Sequence, residues 1–346
     1  MARPDADNIQ FHINLANDSP VQILAQQQIY RDTAFLNKPD DYYLRVLYFF
    51  MDNSSVPLFI MDPTNPMVIT LSGAFGTYSA TLMPVTIFPT QPYYFYYSQQ
   101  VCDSVNNAFN NAMAQLNAAE SQTFIAPLLL YSNVIQGFQI VVPTTYVNYT
   151  NNGIYFNNAL FSLFPGFYNI ASTTLSGVLT FQILYTPTGV NFYPSGLNQS
   201  LTYSCYTADY EATGYSNLLK IKGIAVLSYT MPINQEYINY TKTSSNLNNF
   251  RPLILEIPLT IANDVGVFED ILFNNTNGFP NLIDLNSGTP LNKIDFQVFM
   301  VDVDDTLYPL YLAPSNSISM KVTFLKKSMF NLDTSYNIKE IAVNTR

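Results

Sequence analysis

The sequence predicts a mainly β protein built as a jelly-roll β-sandwich, either one roll with insertions or two side by side, with one long amphipathic helix near residues 98–119. Three observations carry this. Apolar alternation and runs of β-branched or aromatic residues dominate the 346-residue chain, a period that suits half-buried strands. The runs are short and are broken by Pro, Gly and Asn clusters of turn-forming character. Long insertions separate some of them, which fits a jelly roll better than an immunoglobulin-type sandwich. With 48% hydrophobic residues, 26 Tyr, 25 Phe and no Trp, the chain can fill one large core or two ordinary ones.

Taken in order, residues 1–37 read as a polar N-terminal arm. Residues 42–50 (YYLRVLYFF), 56–61 (VPLFIM) and 67–72 (MVITLS) read as the first strands, with MDNSS and DPTNP as turns. Residues 78–97 hold two more candidates and end in the aromatic block 93–97. The period then changes. Val101, Val105, Phe109, Met113 and Leu116 fall four, four, four and three apart, the stripe of an amphipathic helix, with Ser98 as its expected N-cap. Asn106, Asn107, Asn110, Asn111 and Asn117 are assigned to its outer face. Asn is a poor helix former, so this helix needs its packed face. Strands resume at 124–131 and 136–143, and a loop-rich middle is expected over 144–175. Further strands are expected at 176–185, 219–230, 252–262, 294–303 and 318–325. In the last of these, Ile318, Met320, Val322 and Phe324 point one way. Lys and Asp return near residue 215, which suggests a 38–215 uncharged β-rich half and a 216–346 second half.

Charge narrows the function. Only 11% of residues are charged and the formal net charge is −10, against roughly 25% charged residues in an ordinary domain. From 46 to 219 there is no Lys or Arg, and the acids are Asp52, Asp62, Asp103, Glu120, Asp209 and Glu211. A surface of Asn, Gln, Ser, Thr and Tyr is cheap to desolvate against another subunit. That points to an assembly component rather than a free enzyme, with other subunits, copies of itself included, as its partners. The longest basic run is Lys326-Lys327, so wrapping of nucleic acid, which needs clustered cations, is not expected. No apolar run approaches the ~18 residues of a spanning helix, and the N-terminal MARPDADNIQ lacks the features of a secretory signal. The six N-x-S/T sequons are therefore discounted as glycosylation sites. Cys102 and Cys205 are too few for a disulfide framework and read as reduced and buried.

The strongest chemical motif is VFMVDVDDTLYPL, residues 298–310. It resembles motif I of haloacid-dehalogenase-like phosphatases, which would make Asp302 the nucleophile, Asp304 the general acid and Thr306 a loop-shaping residue, with Mg²⁺ between the acids. The context argues against it. In that family the motif opens an α/β core, whereas here a strand and tail follow. The phosphate-binding lysine would have to be Lys321, Lys326, Lys327 or Lys339, and the later acidic pair is missing. His12 is the single histidine, so any Ser-His-Asp or Cys-His machine must use it. It alternates with apolar residues and reads as a strand-face or surface side chain. Neither a P-loop nor G-x-G-x-x-G occurs, and Cys₂His₂ zinc is excluded by count. No catalytic, cofactor-binding or metal residue is assigned, and no cofactor is expected.

Three stretches together, residues 38–60 (KPDDYYLRVLYFFMDNSSVPLFI), 96–119 (YYSQQVCDSVNNAFNNAMAQLNAA) and 153–170 (GIYFNNALFSLFPGFYNI), resemble virion structural proteins of eukaryotic DNA viruses such as polinton-like viruses and virophages, minor capsid and penton-type proteins in particular. The resemblance implies a jelly-roll shell protein of an icosahedral capsid, assembled in the host cytoplasm or nucleus, with no enzymatic residues to transfer. The alternative for such a chain is a β-rich receptor-binding or adhesive spike, in which exposed aromatics would stack on a ligand.

Overall fold

The computed structural model describes residues 6–84, 93–132, 137–175, 177–187, 205–209, 218–234, 236–239, 249–260, 269–275 and 281–330. The chain forms two compact units, Met1–Val56 with Ile221–Arg346, and Pro57–Lys220.

The first unit has eight principal strands: β1 (Asn8–Ala16), β2 (Gln26–Tyr30), β3 (Tyr42–Met51), β4 (Ile221–Leu227), β5 (Asn249–Pro258), β6 (Ile271–Asn274), β7 (Lys293–Asp302) and β8 (Ser317–Lys326). One sheet runs β1-β8-β3-β6 and the other β2-β7-β4-β5, all antiparallel. First pairs with eighth, third with sixth, second with seventh and fourth with fifth, which is the winding of a jelly roll. Among the described residues the first unit forms one roll, and Pro57–Lys220 is inserted in sequence between its third and fourth strands.

The core follows the alternation read from the sequence. Ile318, Met320, Val322 and Phe324 of β8 are all buried. On β3 the inward set changes phase, from Tyr42, Leu44 and Val46 to Phe49 and Met51. A register shift absorbs the change: Val322 pairs with Val46 but Lys321 pairs with Tyr48, so Leu47 is the extra residue. A bulge of this kind keeps both halves of a strand facing one core. In the second sheet, successive residues Ile224–Leu227 and Val298–Val301 are buried, so both faces of that sheet are covered. The turn after β4 is fixed by buried Asp295, whose Oδ1 accepts from the N–H groups of Tyr229 and Thr230 and from both hydroxyls, Ser228 and Thr230.

The inserted unit holds a five-stranded sheet in the order Asn169–Leu175, Val178–Ile183, Gly153–Asn157, Val68–Ser72, Thr77–Thr81, and a second sheet in the order Thr186–Pro187, Cys205–Asp209, Gly137–Pro143, Leu128–Ser132. Helix α1 (Ser98–Glu120) packs on Val68–Ser72, Thr77–Thr81 and Leu128–Ser132. Its predicted stripe is buried throughout, and Ala108 and Ala112 fill the same face. Phe109 meets Phe156 at 6.4 Å between ring centroids, and Phe156, Phe164 and Phe167 extend the aromatic core.

Several expectations change. The N-terminal arm is not an arm: within 1–37 lie β1 and β2, with Ile9 and Ile13 buried. The strand at 42–50 belongs with the C-terminal strands, so the two units divide at 56/57 and 220/221 rather than as contiguous halves from 38–215 and 216–346. The strand expected at 56–61 is reduced to Phe59–Ile60. The middle at 144–175 is structured, with helices Thr144–Val147 and Asn158–Phe161 and strands Gly153–Asn157 and Asn169–Leu175. Ser98 is the first helical residue. Tyr97 occupies the cap and makes no side-chain cap bond, while Gln100 Oε1 accepts from the Tyr96 N–H instead. Asn107, Asn110 and Asn111 are exposed as assigned. Asn106 and Asn117 are not solvent-facing fillers. Asn106 both accepts from the Leu129 N–H and donates to its carbonyl, and Asn117 does the same for Phe124.

Three substitutions on one helix separate these roles in thermal or denaturant melts. Phe109→Ala removes a fully buried ring and is expected to cost about 3–5 kcal/mol. Asn110→Ala is expected to be neutral or slightly stabilising, because Ala is the better helix former. Asn106→Ala leaves both backbone groups of Leu129 without that partner and is expected to cost about 1–3 kcal/mol. Equal effects from Asn106→Ala and Asn110→Ala would contradict the two roles.

Candidate functional site

The acidic motif at the end of β7 is a turn. Asp302 Oδ1 accepts from the N–H groups of Asp304 (2.9 Å) and Thr306 (2.7 Å), and the Asp302 N–H donates to the Thr306 carbonyl at 3.1 Å. Asp305 takes a left-handed conformation with φ 63°. The carboxylate that a phosphatase would use for attack therefore organises a β-hairpin between β7 and Leu307–Pro309, a local Asx role. Asp304 is exposed. Lys222, from the neighbouring strand β4, is paired with Asp305.

Two of the candidate lysines are engaged elsewhere. Lys326 pairs with Asp7 at 3.9 Å, and Lys327 pairs with Asp284 and lies 5.2 Å from the Tyr43 ring centroid. Lys321 lies on β8, in register with His12 and Tyr48 in the opposite sheet. Lys339 lies outside the described residues. His12 is an exposed residue of β1, with Nε2 3.1 Å from Ser319 Oγ. Cys102 is a free thiol buried on α1. Burial first, then the charge of Asp103, pushes its pKa up to about 12, so it is a packed side chain rather than a nucleophile. The Cys205 side chain lies outside the described residues. Among the described residues no three His, Cys, Asp or Glu side chains group as metal ligands, and no helix is long and apolar enough to cross a membrane.

Sequence reasoning missed the one buried carboxylate among the described residues of the inserted unit. Glu120, the last residue of α1, is 5% exposed. Its oxygens accept from the N–H groups of Ala74 and Phe75, both at 3.0 Å, from Tyr78 Oη at 2.9 Å, and from the Tyr149 hydroxyl. Burial pushes its pKa up, but the bonds from Phe75, Tyr149, Tyr78 and Ala74 outweigh this and hold the carboxyl below the ordinary range. The Tyr78 phenol is raised in turn, by burial and then by its bond to Glu120. Gly73 is required here, since a Cβ at that position would lie 2.5 Å from Glu120 Oε1. This is a clamp on the hairpin tip 73–76, which holds out Phe75 at 81% exposure. All lone-pair directions are used on protein donors, so the group supports a shape rather than a reaction.

Asp302 organises a turn and Cys102 is packed in the core, and the comparisons bear on a structural role. The family model of Sputnik minor capsid protein V18/19 matches residues 76–326, well over half of the chain. The chain belongs to this family. The fold agrees. A chain in the cryo-EM structure of the Sputnik virophage is 20% identical, with a TM-score of 0.62, covering 94% of this chain and 100% of that one. The crystal structure of the mavirus penton protein is 17% identical, with a TM-score of 0.59, covering 92% and 99%. Comparison with curated proteins gave no match.

As a V18/19 minor capsid protein the chain has a structural role in a virion, and the spike reading is not favoured. Its distinctive buried group then serves rigidity, which pH can test. A carboxylate with a lowered folded pKa stabilises the fold above its unfolded value, about 4.3 for Glu, and that contribution is lost as pH falls through the folded value. Glu120→Gln is expected to melt below wild type at pH 7, with the difference closing as pH drops below about 4. Parallel melting curves across that range would remove Glu120 from this role.

Proposed function

We propose that this chain is a non-enzymatic, penton-type subunit of an icosahedral virion shell. It joins copies of itself by symmetric contacts and meets other capsid proteins at its rim, with assembly in the host cytoplasm or nucleus. The reading is carried by the end-to-end fold match to the mavirus penton protein. It is supported by the charge-poor composition of 46–219. That segment offers little repulsion between copies and little desolvation cost.

Purified protein viewed by cryo-EM and weighed by light scattering is expected to form closed rings. Hydrogen-exchange protection gained on assembly is expected to concentrate in 46–219. Dispersed monomers at all concentrations, or protection gained mainly in 221–346, would contradict the proposal. With a generic phosphoester and Mg²⁺, wild type and Asp302→Asn are expected to be equally inactive. Turnover that Asp302→Asn abolishes would restore the phosphatase reading.

A further inference from the structure

Five of the sixteen exposed large apolar side chains among the described residues, Tyr168, Ile170, Val178, Leu179 and Leu184, at 41–64% exposure, fall on one hairpin and its flanks. Its strands are Asn169–Leu175 and Val178–Ile183, turned at Gly177 with φ 82°. Asn169–Leu175 ends its five-stranded sheet and, among the described residues, pairs on one side alone. Asn169, Ile170, Ala171, Ser172 and Thr174 are all exposed.

The two edges of this sheet are treated differently. The opposite edge, Thr77–Thr81, also pairs on one side alone among the described residues, but there the Gln115 amide of α1 donates to the Ser79 carbonyl at 3.1 Å. Edge strands of soluble proteins are normally guarded by Lys, Pro, inward charges or a central bulge. Asn169–Leu175 carries no charge and no Pro. Its one irregularity lies at the base, between Asn169 and Ala171, so Ala171–Leu175 stays in unbroken register with Val178–Gln182. The result is an open ladder of backbone donors and acceptors, flanked by apolar side chains.

Charge selects the occupant. The chain carries a net −10, so most approaches of two copies set like charges together. Between Glu120 and Asp209 there is no Asp, Glu, Lys or Arg. A second copy meeting the hairpin through this region finds no like charge, whereas a charged partner or nucleic acid finds nothing to complement. We propose that Asn169–Leu175 is a pairing edge through which two copies of this chain join by main-chain hydrogen bonds, the added strand coming from the uncharged part of the second copy's inserted unit. The proposal rests on the self-assembling reading above and gives that assembly an address.

The test is sedimentation velocity on the full chain, with melting curves to verify folding. Ser172→Lys with Thr174→Lys places two charges on the exposed edge. Thr77→Lys with Thr81→Lys places the same two on exposed positions of the opposite edge, where Gln115 already occupies the Ser79 carbonyl. The first pair is expected to weaken self-association by at least about tenfold, because lysines on an edge strand keep an incoming strand away and the uncharged partner strand offers them no counter-charge. The second pair is expected to assemble as wild type. Unchanged assembly in the first pair, or an equal loss in both, overturns the pairing edge while leaving the capsid reading intact. A wild type that stays monomeric at every concentration overturns both.

Discussion

The hydrogen bond from the Lys220 N–H to the Leu58 carbonyl, 2.9 Å long, joins the two ends of the inserted unit, and the jelly roll depends on that closure. β3 ends at Met51 and β4 begins at Ile221. They lie in different sheets of one sandwich, so the chain must leave the roll and return at a defined place. A flexible excursion would charge the fold loop-closure entropy that rises with the logarithm of its length. An excursion with its own core and with its ends already together removes most of that cost, which is why domain insertions succeed where termini are adjacent. The entry segment is fastened as well. The Leu58 N–H donates to the Phe95 carbonyl at 2.6 Å, Phe59–Ile60 pairs with Tyr94–Phe95, and the Phe59 and Phe95 rings stack at 4.5 Å. Folding of the insertion therefore presents β3 and β4 to their partners as though a short connection linked them.

The inserted unit reaches this stability almost without charge, and asparagine is the means. An Asn amide carries a donor and an acceptor side by side, so it can satisfy the N–H and C=O of one residue as a neighbouring strand would. Asn106 does this for Leu129, and Asn117 for Phe124. Asn157 caps Asn158–Phe161 through the Leu160 N–H, and also binds the Val68 N–H and the Pro66 carbonyl. Each of these ties a loop or strand end to a helix without a group that would cost several kcal/mol to bury as an ion. The Asn content that looks like mere surface in the sequence is partly internal scaffolding. The exception is Glu120, where four donors converge and a full negative charge is the best acceptor available.

What was legible in the sequence followed from local periodicity. The α1 stripe from Val101 to Leu116 and the β8 set from Ile318 to Phe324 are visible because neighbours in sequence share a face. β1 reads as part of an arm because its alternating Ile9, Phe11, Ile13 and Leu15 lie within a polar, acidic N-terminal stretch. The division into units was hidden for a deeper reason. The pairing of β3 with β8 joins residues 42–51 to 317–326, and nothing in either segment names its partner. The phase change at Leu47 is interpretable only once the register is known. Glu120 gave no signal because its donors, two backbone N–H groups and two tyrosines, are assembled by the hairpin tip and are not written in a motif. The Asp302 motif misled in the opposite sense, since an acid that starts a β-turn and an acid that attacks phosphate can have the same neighbours in sequence.

The placement of charge shows how one chain can be both soluble and cohesive. Among the described residues the ion pairs are all on the roll: Lys222 with Asp305, Lys326 with Asp7 and Lys327 with Asp284. Their carboxylates are more than half exposed, and such pairs add little to stability. What they and the other charges of the roll supply is hydration and a net negative field that keeps free subunits apart. The inserted unit has no such field over Ser121–Ala208, so attraction there is short-ranged, made of backbone hydrogen bonds and apolar contact. On the proposed pairing edge, two copies would be repelled at a distance in most orientations and attracted once their uncharged segments were already aligned. In a shell built from many copies, that combination selects orientation before contact, and it does so without any pair of complementary charges.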